Sequence, residues 1–158
     1  MSANVWTALP DDAETVGALL VEFRDWFGRD WPSDNAILAG VERLIEDRDT
    51  EYLLAAPDPD SPPAGVCQLR YRFAVWTAAP DCWLEDLYVR DAARRRGVGA
   101  ALLEGAVAAA LARGARRVEL DVNEHNPAAL ALYERAGFAI SRKAPGGRDV
   151  LMRLPLDE

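Results

Sequence analysis

The residues with the clearest chemical potential are three arginines and two glycines, in the run Arg94-Arg95-Arg96-Gly97-Val98-Gly99. This run follows a strand-like segment and leads into an alanine-rich segment of helical character. The first N–H groups of a helix have no partners within that helix, and they bind anions. Glycine lets a ligand approach the backbone, and arginine donates in a fork that suits phosphate. The run therefore predicts a site for a phosphate-bearing ligand at residues 94–100.

Two familiar phosphate-binding motifs do not fit this run. A Walker A loop requires a lysine directly after its second glycine, and alanine follows Gly99 here. The dinucleotide fingerprint requires a third glycine where Leu102 stands, and residues 90–96 make its loop too long. Asp121 does lie about twenty residues further on, near a strand end, so a dinucleotide stays open as an alternative. A plain helix start with exposed arginines is the other alternative.

A second motif gives the arginine-glycine run a context. Residues 126–138 read N-P-A-A-L-A-L-Y-E-R-A-G-F, which fits the pattern N-x-x-A-x-x-L-Y-E-x-x-G-F. Together with R-x-x-G-x-G at Arg94 to Gly99, this segment resembles the GCN5-related N-acetyltransferase (GNAT) superfamily. The resemblance covers about residues 83–138, and over residues 1–82 it extends only to the order of elements.

The resemblance implies that the chain binds acetyl-CoA as co-substrate. In that family the loop holds the pyrophosphate through backbone N–H groups, and the preceding strand pairs with the pantetheine arm. Asn126 matches an asparagine that contacts the same arm, although it is also a natural helix N-cap. The cofactor-binding residues expected on this basis are Leu87, Tyr88, Val89, Arg94, Arg95, Arg96, Gly97, Val98, Gly99, Ala100 and Asn126. Many members have a proline where this chain has Asp91.

The resemblance also implies two catalytic roles. Tyr133 matches the tyrosine near the acetyl-CoA sulfur, where a phenol can protonate the departing thiolate as general acid. The run L-E-D-L-Y-V resembles a strand of the polyamine and thialysine acetyltransferase branch, which makes Glu85 the candidate base. Asp86 is the second choice, because regular alternation would direct it to the other face of the strand. A core tyrosine and structural acids paired with arginines are the competing interpretations.

Substrate contacts follow from the same resemblance, which places the acceptor between the first helices and the central strands. Asp86, Trp83 and Trp31 are the candidates, and an aromatic ring can hold an amine through a cation–π contact. Most of the aromatic set, which also includes Trp26, Phe27 and Trp76, is expected in the core. His125, the only histidine, is expected in a solvated turn before the last motif helix.

The elements that must position these residues follow from apolar periodicity and turn signals. Strands are predicted at 4–8, 50–56, 64–76, 82–89, 116–122, 138–144 and 148–154. Helices are predicted from Pro10 to about Phe27, at 34–47, at 97–113 and from Asn126 to Gly137. The third helix is apolar almost all round, so we expect packing on both of its sides. The order predicts one α/β (α+β) domain over 1–158, with a mixed, mostly antiparallel sheet that in this family splays between its fourth and fifth strands.

Charge and composition narrow the class of protein. The net charge is −8, which argues against nucleic-acid binding. The apolar runs of the sequence are too short to predict a membrane-spanning helix. Residues 1–60 carry a net charge of −10 and residues 61–158 one of +2, a division that suits a cationic substrate and an anionic cofactor. Cys67 and Cys82 fit neither a metal site nor a disulfide framework. We expect a cytoplasmic protein without a metal, and the family suggests a homodimer.

These observations combine into one predicted function. The chain is expected to be an acetyl-CoA-dependent N-acetyltransferase that transfers its acetyl group directly to a primary amine, and a small cationic amine is favoured. A coenzyme A sensor without turnover and a dinucleotide-binding protein are the alternatives.

Overall fold

The computed structural model describes residues 3–140, 146–147 and 150–156, and it divides the chain into two compact units. The first unit comprises residues 1–123 and the second residues 124–158. The elements are β1 (Asn4–Thr7), α1 (Ala13–Trp26), α2 (Asp34–Ile45), β2 (Thr50–Ala56), β3 (Gly65–Ala74), β4 (Ala79–Val89), α3 (Val98–Ala112), β5 (Val118–Glu119) and α4 (Pro127–Arg135). Short 3₁₀ helices at Pro10–Asp12 and Asp91–Ala93 precede α1 and follow β4.

The sheet of the first unit has five strands in the order β1-β2-β3-β4-β5. The first three pairings are antiparallel and the β4–β5 pairing is parallel, so the predicted mixed, mostly antiparallel sheet is confirmed. β5 pairs with β4 only at Cys82 and Trp83, although β4 continues to Val89. The splay expected between the fourth and fifth strands corresponds to this short parallel pairing.

Helices cover both faces of the sheet. One face carries Tyr52, Leu54 and Val66, which form a core with Val16 and Leu19 of α1. On the other face Gly65 lies against Val98 and Leu102 of α3, and Gly105 of α3 lies against Val5 and Leu53. The sheet is therefore held between α1 and α2 on one side and α3 on the other.

Two helix starts show how the sequence sets the boundaries. Ser33 caps α2, and its hydroxyl oxygen accepts a hydrogen bond from the Ala36 N–H at 3.1 Å. Asp12 accepts a hydrogen bond from the Leu9 N–H at 2.9 Å where the chain enters the first helical segment. Arg24 near the end of α1 pairs with Asp34 at 2.7 Å, which joins α1 to the start of α2.

The structure corrects three sequence-based expectations. Among the described residues α3 packs on one side only, because Val107 and Leu111 are exposed while Leu102, Leu103 and Ala106 are buried. The strand predicted at 116–122 is only Val118–Glu119, since β4 pairs with no more of it. Of the two strands predicted in the tail, the described parts, 138–140 and 150–154, contain none, and 141–145 and 148–149 lie outside the described residues.

Among the described residues, none of the helices has the length and apolar character needed to cross a membrane. The same residues contain no cluster of three or more His, Cys, Asp or Glu side chains that could hold a metal ion. Cys67 and Cys82 are both buried free thiols, and burial raises the pKa of Cys67 to about 12 and that of Cys82 to about 11. Neither thiol is therefore a reactive thiolate near neutral pH.

Candidate active site

The loop between β4 and α3 has the backbone geometry of an anion-binding helix start. Gly97 is the N-cap residue of α3 and has φ +79°, a left-handed conformation that favours glycine. The first helical hydrogen bond runs from the Ala101 N–H to the Gly97 carbonyl at 3.0 Å. The N–H groups of residues 98–100 precede that bond and so have no acceptor within the helix. N–H groups in this position can bind a phosphate oxygen, and the phosphate site itself stays a prediction.

The three arginines of the loop differ in their protein contacts. Arg94 donates from Nε to the Val89 carbonyl at 3.1 Å, and its guanidinium also pairs with Asp91 at 3.2 Å. Arg96 pairs with Asp58 at 3.2 Å. Arg95 is exposed and has φ +64°, which is unusual for a residue with a Cβ. Two of the three arginines are therefore engaged with protein carboxylates, and the phosphate-binding role expected of all three stays a prediction.

β4 is irregular at the centre of the site. Gln68 of β3 lies opposite Glu85, but Val66, two residues away, lies opposite Tyr88, three residues away, so β4 carries one extra residue. Asp86 has φ +57° at this bulge. Beyond Trp83 no described strand pairs with β4 on the side of β5. The end of β4 at Leu87–Val89 therefore presents an unpaired edge within the described sheet, and a β-bulge is a common device for redirecting side chains near active sites.

Two carboxylates of β4 have raised pKa values. Burial raises the pKa of Glu85, the nearby charge of Asp86 raises it further, and Arg70 acts in the opposite direction. Asp86 is an exposed residue, but the protein around its carboxylate partly excludes water. This desolvation raises the pKa of Asp86, and the charge of Asp121 adds a smaller increase. Both acids therefore retain a proton at higher pH than free carboxylates do, which is typical of groups that exchange protons in active sites.

The regular alternation, on which Asp86 was expected to face away from Glu85, does not hold in this part of β4. The bulge interrupts that alternation at Asp86. Burial raises the pKa of the Tyr52 phenol, and the charges of Asp86 and Glu85 raise it further. Tyr52, Gln68 and Glu85 stand opposite one another on β2, β3 and β4, so their side chains form a row on the face that packs against α1.

The aromatic candidates have different surroundings from those expected. Trp83 is half-buried on β4 and lies opposite Arg70, whereas Trp31 is 73% exposed and precedes a cis proline, Pro32. The expectation that the aromatic set lies mostly in the core is wrong, because Trp26, Phe27, Trp31 and Trp76 are all exposed. Trp26 and Phe27 are at the end of α1, where the helix reaches solvent.

The second unit contains the remaining predicted residues. Asn126 caps α4, and its side-chain oxygen accepts a hydrogen bond from the Ala129 N–H at 3.2 Å. Tyr133 is half-buried, and its ring meets that of Phe138 edge-on at 5.9 Å between centroids. His125 is exposed in the turn before α4. The capping role of Asn126 is thus observed, and its expected contact with a cofactor stays a prediction.

Some residues of the site could not be selected from the sequence. Tyr52 and Gln68 belong to runs that signal only a buried strand, and their position beside Glu85 depends on the register of three strands. Arg70 and Asp121 influence the pKa values of the carboxylates from other strands and loops. The one available signal was Gln68 itself, a buried polar residue between the apolar residues Cys67 and Leu69.

Comparisons with known proteins agree with this geometry. A sequence profile of the Acetyltransferase (GNAT) family matches residues 18–138. Thialysine N-epsilon-acetyltransferase of Caenorhabditis elegans is 26% identical over 146 residues, which cover 90% of this chain and 87% of that protein. Mycothiol acetyltransferase of Beutenbergia cavernae is 41% identical over 68 residues, and these cover 41% of this chain and only 23% of that protein.

Solved structures have the same fold. A protein of Arthrobacter sp. FB24, provisionally assigned as an acetyltransferase, is 30% identical with a TM-score of 0.82, covering 96% of this chain and 94% of that one. AAC(6')-Iy, solved with the bisubstrate analogue CoA-S-monomethyl-acetylneamine, is 19% identical with a TM-score of 0.76, covering 98% of this chain and 99% of that one. At this level of identity the second match supports the fold alone.

Proposed function

The chain belongs to the acetyltransferase (GNAT) family and is an N-acetyltransferase, and we propose that it transfers an acetyl group from acetyl-CoA to a small cationic primary amine. The observation that carries the proposal is the start of α3, where Gly97 in a left-handed conformation leaves the first N–H groups of the helix open beside the arginines. Backbone donors of this kind suit the pyrophosphate of coenzyme A. The match to the acetyltransferase (GNAT) family supports the same donor.

We propose that the donor lies along the loop and the end of β4. The N–H groups of residues 95–100, including Val98 and Gly99, would hold the pyrophosphate, and the side chain of Arg95 would add charge. The backbone of Leu87–Val89 would pair with the pantetheine arm, which suits the edge of β4 that no described strand covers. We assign Asn126 to the same arm on the strength of the family motif around it.

The acceptor is proposed to be cationic because acidic groups gather around the end of β4, two on that strand and one in the segment after β5. Glu85, Asp86 and Asp121 interact electrostatically with one another. A cation placed among them would relieve this repulsion and favour the ionised carboxylates. A relative that acts on the N-epsilon amine of thialysine is consistent with such a substrate. We propose Asp86 as the residue that holds the ammonium group, with Trp83 and Trp31 as aromatic neighbours of the substrate.

The proposed reaction is a direct transfer with three proton movements. Glu85 takes a proton from the substrate ammonium, either directly or through a water molecule. The free amine then attacks the thioester carbonyl carbon and a C–N bond forms. As the tetrahedral intermediate collapses, the C–S bond breaks and the nitrogen loses its second proton to water. A backbone N–H near Leu87 would stabilise the oxyanion, since the bulge at Asp86 turns this part of β4 away from regular pairing. Tyr133 would protonate the departing thiolate, and this role depends on the motif in which it lies.

Two further proposals concern the whole protein. Cys67 and Cys82 are buried free thiols, which suits the reducing cytoplasm, and we propose the cytoplasm as the location of the enzyme. We propose a homodimer as its assembly, on family grounds, and neither a nucleic acid nor a membrane as a partner. Light scattering coupled to size-exclusion chromatography measures the assembly directly, and a mass of one chain would refute the dimer.

The test of the proposed function is the release of coenzyme A from acetyl-CoA in the presence of individual amines. The panel contains polyamines, basic amino acids, aminoglycosides and short peptides, each beside a neutral amine of similar size. We expect amine-dependent thiol release that is fastest with a cationic amine. Faster reaction with the neutral amines would remove the proposed substrate class. Binding of acetyl-CoA without release across the whole panel would favour a sensor instead.

A further inference from the structure

The loop proposed to hold coenzyme A is attached at two points to helix α1, which lies on the opposite side of β4 from α3. Arg90 directly follows β4 and Arg94 lies four residues later, at the start of the arginine-glycine run. Their contacts on α1 are Glu22 and Trp26, which are also four residues apart and therefore share one face of the helix. The two contacts therefore join residues that have the same four-residue spacing in the loop and in the last two turns of α1.

The first attachment is an ion pair of forked geometry. Arg90 donates from Nε and Nη2 to the carboxylate of Glu22 at 3.0 and 2.7 Å. The same guanidinium donates from Nη1 to the Pro63 carbonyl at 3.2 Å, in the segment before β3. Arg90 is therefore held by α1 and by the β2–β3 connection together, and this fixes the direction in which the chain leaves β4.

The second attachment places Arg94 against an aromatic ring. Its guanidinium carbon lies 5.7 Å from the centre of the Trp26 ring, within the range of a cation–π contact. Trp26 in turn contacts Phe23 at 6.3 Å between ring centroids, and Phe23 stacks on Tyr88 at 5.2 Å. A line of rings therefore connects Arg94 back to the end of β4. With its bonds to Val89 and Asp91 also made, Arg94 is fixed within the protein and is not an isolated phosphate donor.

From these contacts we infer that Glu22 and Trp26 of α1 are positioning residues for the coenzyme A loop. This inference rests on the proposed function, because it concerns the loop assigned to the pyrophosphate. A loop whose backbone donors are already ordered loses less conformational freedom when the ligand binds. If the loop were ordered only part of the time, the apparent affinity would fall by that fraction. The two residues act through Arg90 and Arg94, without contact to the reacting atoms.

The experiment compares coenzyme A affinity by calorimetric titration in the wild-type protein, Glu22→Gln, Trp26→Leu and Trp26→Phe. Removing the ring should weaken coenzyme A binding about two- to fivefold, the range that corresponds to an exposed cation–π contact. Trp26→Phe keeps a ring beneath Arg94 and should restore most of the affinity. The KM for acetyl-CoA should rise by the same factor, while kcat at saturation and the KM for the amine stay unchanged.

Matched controls separate positioning from loss of stability. Trp76→Leu removes a fully exposed ring from the turn between β3 and β4, and Glu14→Gln removes an exposed carboxylate from the first turn of α1. Both should bind coenzyme A as the wild type does. The inference is overturned if the controls weaken coenzyme A binding equally, or if both Glu22→Gln and Trp26→Leu leave the affinity unchanged. In either case, binding of coenzyme A by the wild type still upholds the proposed donor. Absence of coenzyme A binding by the wild type overturns the proposed donor and the inference with it.

Discussion

The substitution Glu85→Gln removes the proposed base while it retains a side chain of nearly the same size. Glu85 lies in the row formed with Tyr52 and Gln68, so glutamine can occupy the same space on β4. A positioned general base accelerates a reaction by about 10²–10⁴, which corresponds to about 3–5 kcal/mol of transition-state stabilisation. We expect kcat/KM to fall by that factor, with the affinity for acetyl-CoA unchanged.

The pH dependence adds a second, independent readout. Burial and the charge of Asp86 raise the pKa of Glu85, so the acid limb of the wild-type kcat/KM profile should lie above the ordinary glutamic acid range. Asp86→Asn removes one of the raising charges and should move that limb to lower pH. In Glu85→Gln the limb assigned to the base should disappear, because no carboxylate remains there to titrate.

The pH dependence of stability reports on the same carboxyl group. A carboxyl whose pKa is higher in the folded than in the unfolded state favours folding below its unfolded pKa, and that contribution is lost as the pH rises through the folded value. Ionised Glu85 therefore opposes folding near pH 7. We expect chemical denaturation to show Glu85→Gln more stable than the wild type at pH 7, with a smaller difference near pH 4. A kcat/KM within twofold of the wild type, with an unchanged acid limb, would refute the assignment.

The remaining predictions concern other parts of the chain. Tyr133→Phe should lower kcat by about 10²–10⁴ without weakening acetyl-CoA binding, and an unchanged kcat in a stopped assay would remove the acid role. Gly65→Ala should destabilise the fold by about 1–3 kcal/mol, because its Cβ would lie 2.7 Å from the Val98 side chain. Gly40→Ala lies in α2, and its added Cβ would meet no neighbour, so this variant should instead stabilise the fold by about 0.5–1 kcal/mol. Denaturation midpoints equal to that of the wild type would contradict both predictions. Ser33→Ala should cost about 1 kcal/mol by the same measurement through loss of the α2 cap, and a cost near zero would show that the cap is dispensable.

Local signals predicted most of the elements in the first unit. The strand predicted at 50–56 is observed as Thr50–Ala56, and the helix predicted at 97–113 is observed as Val98–Ala112. Apolar periodicity and turn residues act over a few positions, so they identify such elements well. The strand predicted at 116–122 shows the limit of this reasoning. The alternation of apolar and polar residues predicts which side chains face inward. A strand also needs hydrogen bonds to a neighbouring strand, and β4 pairs with this segment only at Cys82 and Trp83.

The candidate site was predictable only where it depends on contiguous sequence. The loop at 94–100 follows from its own residue types, and its helix start is observed. The bulge at Asp86 depends on how β3 and β4 pair, which no single segment encodes. The contacts of Arg90 with Glu22 and of Arg94 with Trp26 join residues about seventy positions apart. Exposure of the aromatic residues at the end of α1 was missed for the same reason, since periodicity does not reveal where a helix leaves the core.

The central claim is that an acetyl group passes from acetyl-CoA to the nitrogen of an amine. The most direct measurement uses acetyl-CoA labelled with ¹³C in its acetyl group, the best amine of the panel, and mass spectrometry of the products. The account predicts that the label appears on the nitrogen of the amine in step with released coenzyme A, and that both signals are lost in Glu85→Gln. Label recovered only as free acetate, or retained in acetyl-CoA that binds without reacting, would contradict the claim.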